Sequence, residues 1–274
     1  MHVPLCPPTL AAMTPDALLA HHDRGTLWPA PLASADVAAA YAQALAVRAL
    51  RVARGEAPRG FKIGFTNRNI WPLYKVYAPI WGTVWSTSLA FCEGEGTVDL
   101  AGCCQPRIEP EAVFGFAATP APQATPDELF AALDWVAPGF EIVQSHLPDW
   151  KFTAADTVAD GALHARLLVG PRLPVRAVAA SAAQLDAQLA AAQVTLARDG
   201  QPVDAGCGAC VLDGPLQALH YFLTELRACP GAPDIQPGDV VTTGTWTDAW
   251  PVRAGERWRG AFGPPLAPLT VHFR

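Results

Sequence analysis

The sequence predicts an α+β chain in which an alanine-rich helical start leads into a body of mixed strands and helices. Three observations carry this. Apolar residues recur at helical spacing up to Gly55, and from Gly60 the period shortens to two. Turn pairs such as Pro138-Gly139, Asp199-Gly200 and Pro237-Gly238 then alternate with β-branched and aromatic runs almost to the end of the chain.

At 274 residues the chain is long enough for one sizeable core, or for a domain with a small appendage. Its 19 basic residues are scattered among 25 acidic ones, for a net charge of -6, which disfavours nucleic acid and anionic membrane surfaces as partners. With neither a signal-peptide pattern nor a bilayer-length apolar run, a cytoplasmic location is expected. The seven cysteines are odd in number and lack secretory context, which favours reduced thiols. Cys207-Gly-Ala-Cys210 has the spacing of a redox pair or half a zinc site. No second pair accompanies it, and it reads as small residues in a glycine-rich turn, without a role.

In order along the chain, Thr14 caps a helix to Arg24, with Pro15 in the first turn, and Ser34 caps a second that runs to Arg54. Residues 1–57 form a helical N-terminal region whose alanine faces pack on the main body or on a second subunit. Gly60 to Thr66, G-F-K-I-G-F-T, is a strand with Phe61, Ile63 and Phe65 on one face and Lys62 on the other. After a short helix or loop over 67–74, a strand is expected from Thr83 to Phe91. Trp71, Trp81 and Trp85 are packing residues or an aromatic wall of a pocket. Thr125 to Glu128 opens a capping-box helix ending near Val136, and Pro138-Gly139 turns the chain into the next strand. Residues 187–196 read as strand or helix before the Asp199-Gly200 turn. Pro215 to Arg227 is an amphipathic helix, and strands close the chain.

The chemistry centres on Pro106 to Gly115, P-R-I-E-P-E-A-V-F-G. In a strand Glu109, Glu111 and Val113 share one face, with the two carboxylates roughly 7 Å apart. Glu141 falls in a second apolar run, where a lone acid must be paired, protonated or metal-bound. One reading makes Glu109 and Glu111 the wet face of an edge strand marked by Pro110. The other joins them with Glu141 in an all-oxygen site suited to magnesium or manganese.

Taken together, G-F-K-I-G-F-T, P-R-I-E-P-E, A-P-G-F-E-I-V-Q-S-H, D-T-V-A-D and P-G-D-V-V-T-T-G resemble the 2-keto-4-pentenoate hydratase and 4-oxalocrotonate decarboxylase group of the fumarylacetoacetate hydrolase superfamily. The resemblance covers nearly the whole chain. It implies a curled, mixed β-roll with helices around it as the catalytic domain, residues 58–274. It also implies that Glu109, Glu111 and Glu141 ligate Mg2+ or Mn2+, that Lys62 stabilises an enolate or moves a proton, and that Asp160 orients Lys62 or a water. Thr243-Gly244-Thr245 would bring backbone to the substrate carboxylate, with Gly244 and Thr245 in the binding site. The substrate class implied is an unsaturated 2-oxo acid from aromatic catabolism, and the reaction hydration. Decarboxylation, hydrolysis of an acylpyruvate, and a weakly active partner subunit are the alternatives. A homo-oligomer, or a complex with a related decarboxylase or hydratase, is implied as well.

The chain departs from the family pattern at Ile80, where an acid is usual, and at Gly161, Leu163 and His164, where Asn and Ser are usual. These changes make the pocket more apolar. His164 is then a candidate acid-base group.

Overall fold

The computed structural model describes residues 13–32 and 36–274. It opens with helices α1 (Pro15–Arg24) and α2 (Val37–Ala53). The Thr14 hydroxyl accepts from the Ala17 N–H, with Pro15 in the first turn, as the sequence implies. The second helix starts later than expected, at Val37, because Asp36 is its cap; Ser34, like Cys6, lies outside the described residues. Strands β1 (Pro58–Gly64) and β2 (Ile80–Trp85) flank the short helix α3 (Trp71–Tyr74). The expected 83–91 strand is broken in two, since Ser88 Oγ accepts the Trp85 N–H in a turn before β3 (Leu89–Phe91).

After β4 (Glu95–Val98) come β5 (Arg107–Phe116), α4 (Pro126–Ala132) and β6 (Leu133–Val143). The Thr125 capping box is present, but α4 stops at Ala132 rather than near Val136. Residues 133–136 are drawn into β6, where Val136 pairs with Phe114. Pro138-Gly139 is therefore not a turn: the pair sits inside β6, opposite Ala112 and Glu111. The chain continues through α5 (Ala154–Ala159), β7 (His164–Val169), β8 (Leu173–Pro174), α6 (Val175–Val178) and α7 (Ala182–Ala191). Residues 187–196 are thus both helix and strand, as β9 (Gln193–Arg198) follows and turns at Asp199-Gly200 into β10 (Gln201–Cys207). Last come α8 (Pro215–Ala228), β11 (Val240–Thr242), β12 (Trp250–Pro251), β13 (Arg257–Phe262) and β14 (Leu269–Phe273).

The larger sheet runs β2-β1-β11-β5-β6-β7-β3, with β12 on β5 and β8 on β6; the smaller runs β10-β9-β13-β14-β4. Both are mixed: β1 with β11, β3 with β7 and β4 with β14 are parallel. Alternation along each strand sorts the larger sheet into two faces. Phe61 and Ile63 of β1, Ile108 and Phe114 of β5, and Phe140 and Ile142 of β6 face outward into the main core. They pack there with Leu189, Phe222 and Trp258 from α7, α8 and β13. On the other face Val84 of β2 and Leu167 of β7, from distant strands of the order, share one buried cluster with Val113, Ala137 and Val240. The sheet therefore curls on itself, and its inner face is apolar at one end. Pro110 belongs to no edge, for β5 lies between β11 and β6.

The alanine faces of the N-terminal helices dock on the body: Leu18 and Ala40 pack with Ile80, Ala155 and Val158. At the far end of α2, Arg51 lies 4.2 Å over the Trp85 ring and 2.6 Å from Glu56 Oε2. Thr87 Oγ1 donates to the same carboxylate. Burial pushes the Glu56 carboxyl up, but hydrogen bonds from Arg51, Thr87 and Arg54 and the charge of Arg51 outweigh it and hold it at about 2. Because this lies below the ordinary value of 4.5, the stabilisation is complete above that pH and is lost as pH falls towards 2. Glu56→Gln is expected to cost about 2 kcal/mol at pH 7, with some of the ion pairing screened by solvent. Denaturant melts should show the gap to wild type closing between pH 4.5 and 2; a gap that ignores pH would mean the ion pair is not its source.

Candidate metal centre and active site

Beyond the apolar end of the inner face, the alternation that seats Val113 inward also points Glu109 and Glu111 there. Ladder register completes the group: Glu109 and Glu141 are direct cross-strand partners and Glu111 faces Gly139. One oxygen from each of the three carboxylates lies within 4.8 Å of the other two. Glu111 and Glu141 are fully buried. Glu111 Oε2 accepts the Gly244 N–H at 2.7 Å and Glu141 Oε1 accepts His164 Nδ1–H at 2.8 Å. The other oxygen of each, Glu111 Oε1 and Glu141 Oε2, has no hydrogen-bond partner, although Lys62 Nζ stands 3.2 Å from the latter.

The electrostatic cost shows in the protonation equilibria. Burial, partly offset by Lys62 and reinforced by Glu141, brings the Glu109 carboxyl up to about 7. Burial, with Glu141 and Glu109 behind it, pushes Glu111 well above the carboxylate range. Converging oxygens, mutual repulsion and orphaned lone pairs fit a hard divalent cation, which would satisfy all three at once.

Lys62 reaches this cluster from β1, where it pairs with Thr242 of β11 and Gly82 of β2. Burial alone would lower its pKa, but the three glutamates more than offset this and raise it, so the ammonium is charged. It donates to the Ala162 carbonyl at 2.9 Å. That carbonyl is positioned by backbone strain and by a glycine. Ala162 and Leu163 hold φ of 56° and 66°, in the left-handed region that costs of order 1–3 kcal/mol outside glycine. The segment lies so close to β2 that a Cβ on Gly82 would come within 2.2 Å of the Gly161 carbonyl oxygen. Gly244 is equally constrained: at φ 100° its Cβ would fall 1.9 Å from Thr66 Oγ1.

Several residues take places the sequence reading does not give them. Asp160 makes no hydrogen bond to Lys62: its two oxygens accept from the His146 backbone N–H and from Nδ1, at 3.0 and 2.6 Å. Its carboxyl is raised by burial and lowered again by His146, with a net rise. His164 does not line the cavity that Lys62 and Glu109 open into. It stands behind Glu141, with Ser88 Oγ 2.8 Å from its Nε2, and burial outweighs the Glu141 hydrogen bond to lower its pKa, leaving a neutral ring. It holds a carboxylate in place.

A cavity of about 410 Å3 opens from Lys62 and Glu109, and Ile80, Gly244 and Thr245 are among the residues that line it. The Gly244 N–H, however, is spent on Glu111 rather than left for substrate. Gly161 is not in this wall. It lines a separate 50 Å3 cavity beneath the N-terminal helices, together with Asp160 and His164. Trp71, Trp81 and Trp85 do not form the aromatic wall either: Trp81 stacks on Tyr41, Trp85 lies under Arg51, and Trp71 donates to the Phe65 carbonyl. Phe65, Tyr74, Trp150 and Phe152 form it instead. Cys210 also lines the cavity, its Sγ 3.4 Å from that of Cys207 in a pair of free thiols. Sequence reasoning misses Ser88 and the Ala162 carbonyl, because neither residue type signals a role. It overlooks His146, although the residue stands next to Ser145 in the Glu141 block.

No family model matches the chain. A 2-hydroxyhexa-2,4-dienoate hydratase of Comamonas testosteroni is 34% identical over 221 residues, 80% of each chain. The chain belongs to the family of 2-keto-4-pentenoate hydratases and 4-oxalocrotonate decarboxylases. A 4-oxalocrotonate decarboxylase of a Pseudomonas species is 31% identical over 205 residues, 75% of each chain. Among solved structures, the 4-oxalocrotonate decarboxylase from Pseudomonas putida G7, complexed with magnesium and adipate, superposes with a TM-score of 0.82 at 24% identity. That match covers 96% of this chain and 99% of the decarboxylase, and bears out the superfamily's mixed β-roll as the fold.

Gly82→Ala tests the local geometry. The added methyl must displace the Gly161–Leu163 segment, which over-packing makes worth about 1–3 kcal/mol of stability. Thermal melts should show that loss, and the Lys62 Nζ resonance should shift with it. An unshifted Lys62 Nζ resonance in Gly82→Ala would refute the coupling.

Proposed function

We propose that this protein is a divalent-metal-dependent hydro-lyase that adds water to an unsaturated 2-oxo acid of the 2-hydroxy-2,4-dienoate type. The observation that carries the reading is the convergence of three glutamates and a charged lysine, of which Glu109 and Lys62 line one cavity. Its relatives in the group are named as hydratases and as decarboxylases.

Glu109, Glu111 and Glu141 would hold Mg2+ or Mn2+. Such an ion, when bound, draws charge from the carboxylate and oxo group of a chelating 2-oxo acid and favours the enol form. The residues of the chain do the rest. The Gly244 N–H and His164 fix one oxygen of Glu111 and of Glu141, which leaves the second oxygen of each for the ion. Lys62 Nζ, held by the Ala162 carbonyl, sets a positive charge beside the carboxylates, where negative charge develops on the substrate's 2-oxo oxygen, and carries a proton to exchange with the carbon chain. The apolar wall around Ile80 and Leu163 shields that charge from water, while the open rim admits the water that adds.

Hydration is preferred to decarboxylation because Asp204 and Asp248 line the same cavity, in which Lys62 is the one cation among the described residues. A second substrate carboxylate would meet like charge there. Among the described residues no helix is long and apolar enough to cross a membrane. Association into a homo-oligomer is part of the proposal, supported by the exposed Leu73 and Tyr77 side chains.

Magnesium-loaded protein incubated with 2-hydroxypenta-2,4-dienoate should yield a 4-hydroxy-2-oxo acid by NMR, and EDTA should abolish it. Release of CO2 from a 2-oxo-3-enedioate, without hydration of the dienoate, would replace the hydratase reading with the decarboxylase one. Lys62→Ala should leave metal binding nearly intact and lower turnover by about two orders of magnitude or more; undiminished turnover would remove Lys62 from the chemistry.

A further inference from the structure

The catalytic groups occupy one end of their cavity, and the rest of its lining has a distinct character. Phe65 and Tyr74 stack with centroids 4.8 Å apart, Tyr74 and Phe152 at 5.7 Å, and Trp150 stands 6.0 Å from Phe152. These four rings form a continuous aromatic wall, and Ile80, Val143 and Leu163 supply aliphatic surface to the same cavity. Its volume of about 410 Å3 is many times what a single water needs. A five-carbon dienoic acid anchored at Lys62 and Glu109 would leave most of that space wet and the rings unused.

Charge narrows the choice of what fills it. Lys62 is the sole cation in the lining among the described residues, and it is already committed to Glu141 and the Ala162 carbonyl. Arg107 lies 4.2 Å over the Trp150 ring and donates to the Ala249 carbonyl, but does not line the cavity. Besides Lys62 and Glu109, the ionisable lining groups are Tyr74, Asp204, Asp248 and Cys210. An anionic tail would meet acidic groups with nothing to pair with, whereas an aryl or long alkyl tail would bury its surface against the rings.

We propose that the Phe65–Tyr74–Phe152–Trp150 wall is a specificity subsite, and that the substrate is a 2-oxo acid carrying a bulky, uncharged, preferably aromatic substituent at the end distal to its carboxylate. The proposal rests on the 2-oxo acid reading of the same site and goes beyond it in naming the tail.

Three unreactive acids that differ only in the tail test it by calorimetry on magnesium-loaded protein: 2-oxopentanoate, 2-oxo-5-phenylpentanoate and 2-oxohexanedioate. The phenyl acid should bind at least about tenfold more tightly than 2-oxopentanoate. The diacid should bind more weakly than 2-oxopentanoate at low salt, with the gap narrowing as salt rises. Phe152→Ala should remove most of the phenyl gain and leave the 2-oxopentanoate affinity within about twofold; Phe152→Leu serves if the alanine variant does not fold. Equal affinity for the phenyl and unsubstituted acids, tighter binding of the diacid, or a phenyl gain untouched by either variant would overturn the subsite. Binding keeps this test separate from the reaction: the predicted order without EDTA-sensitive turnover would sustain the tail and refute the hydro-lyase reading, and turnover without the order would do the reverse.

Discussion

The site answers to the mutual repulsion of three carboxylates around one ammonium. Glu111 and Glu141 are fully buried and Glu109 is half-buried at the cavity, and ionised together they would carry more negative charge than Lys62 can balance, which is why Glu109 and Glu111 hold their protons more tightly than ordinary carboxyls. A fold does not tolerate such a cluster for its own stability, because each unpaired buried charge costs several kcal/mol. The structure meets part of the cost with the Gly244 N–H, the His164 ring and the lysine, and leaves two carboxylate oxygens without a hydrogen-bond partner. The remaining deficit has the size and chemistry of a hard dication.

The architecture serves this arrangement from both sides. Curling of the larger sheet brings β2 and β7 onto one cluster and closes the apolar end of its inner face. Outer-face residues of the same strands anchor them in the main core, so the carboxylates stand on rigid ladders rather than on loops. Around the cavity itself lie the strained Ala162-Leu163 turn and the 65–74 and 150–152 stretches that carry the aromatic rings.

The glutamate cluster was legible in the sequence because its determinants are local: a period of two in β5, and one acid inside an apolar run in β6. The cross-strand register that makes Glu109 and Glu141 neighbours is the tertiary fact those patterns anticipate. Lys62 was legible for the same reason. What depended on distant packing was not. Asp160 reads as a partner for Lys62 until the chain folds and His146 takes both its oxygens. His164 reads as a free acid-base group until Glu141 and Ser88 occupy its nitrogens. The tryptophans were the natural candidates for a pocket wall, yet Tyr41 and Arg51 of the N-terminal helix cover two of them. Pro138-Gly139 carries turn chemistry but lies in mid-strand, where the glycine faces Glu111 across the ladder.

The most direct measurement of the central claim is the binding of Mn2+ followed by electron paramagnetic resonance, in wild-type protein and in Glu111→Gln. Expected is one ion per chain in the wild type, with affinity falling by more than about a hundredfold in the variant, since a fully buried ligand is lost. Equal Mn2+ affinity in the two proteins would contradict it, and would mean that the three carboxylates are a protonated, purely structural cluster.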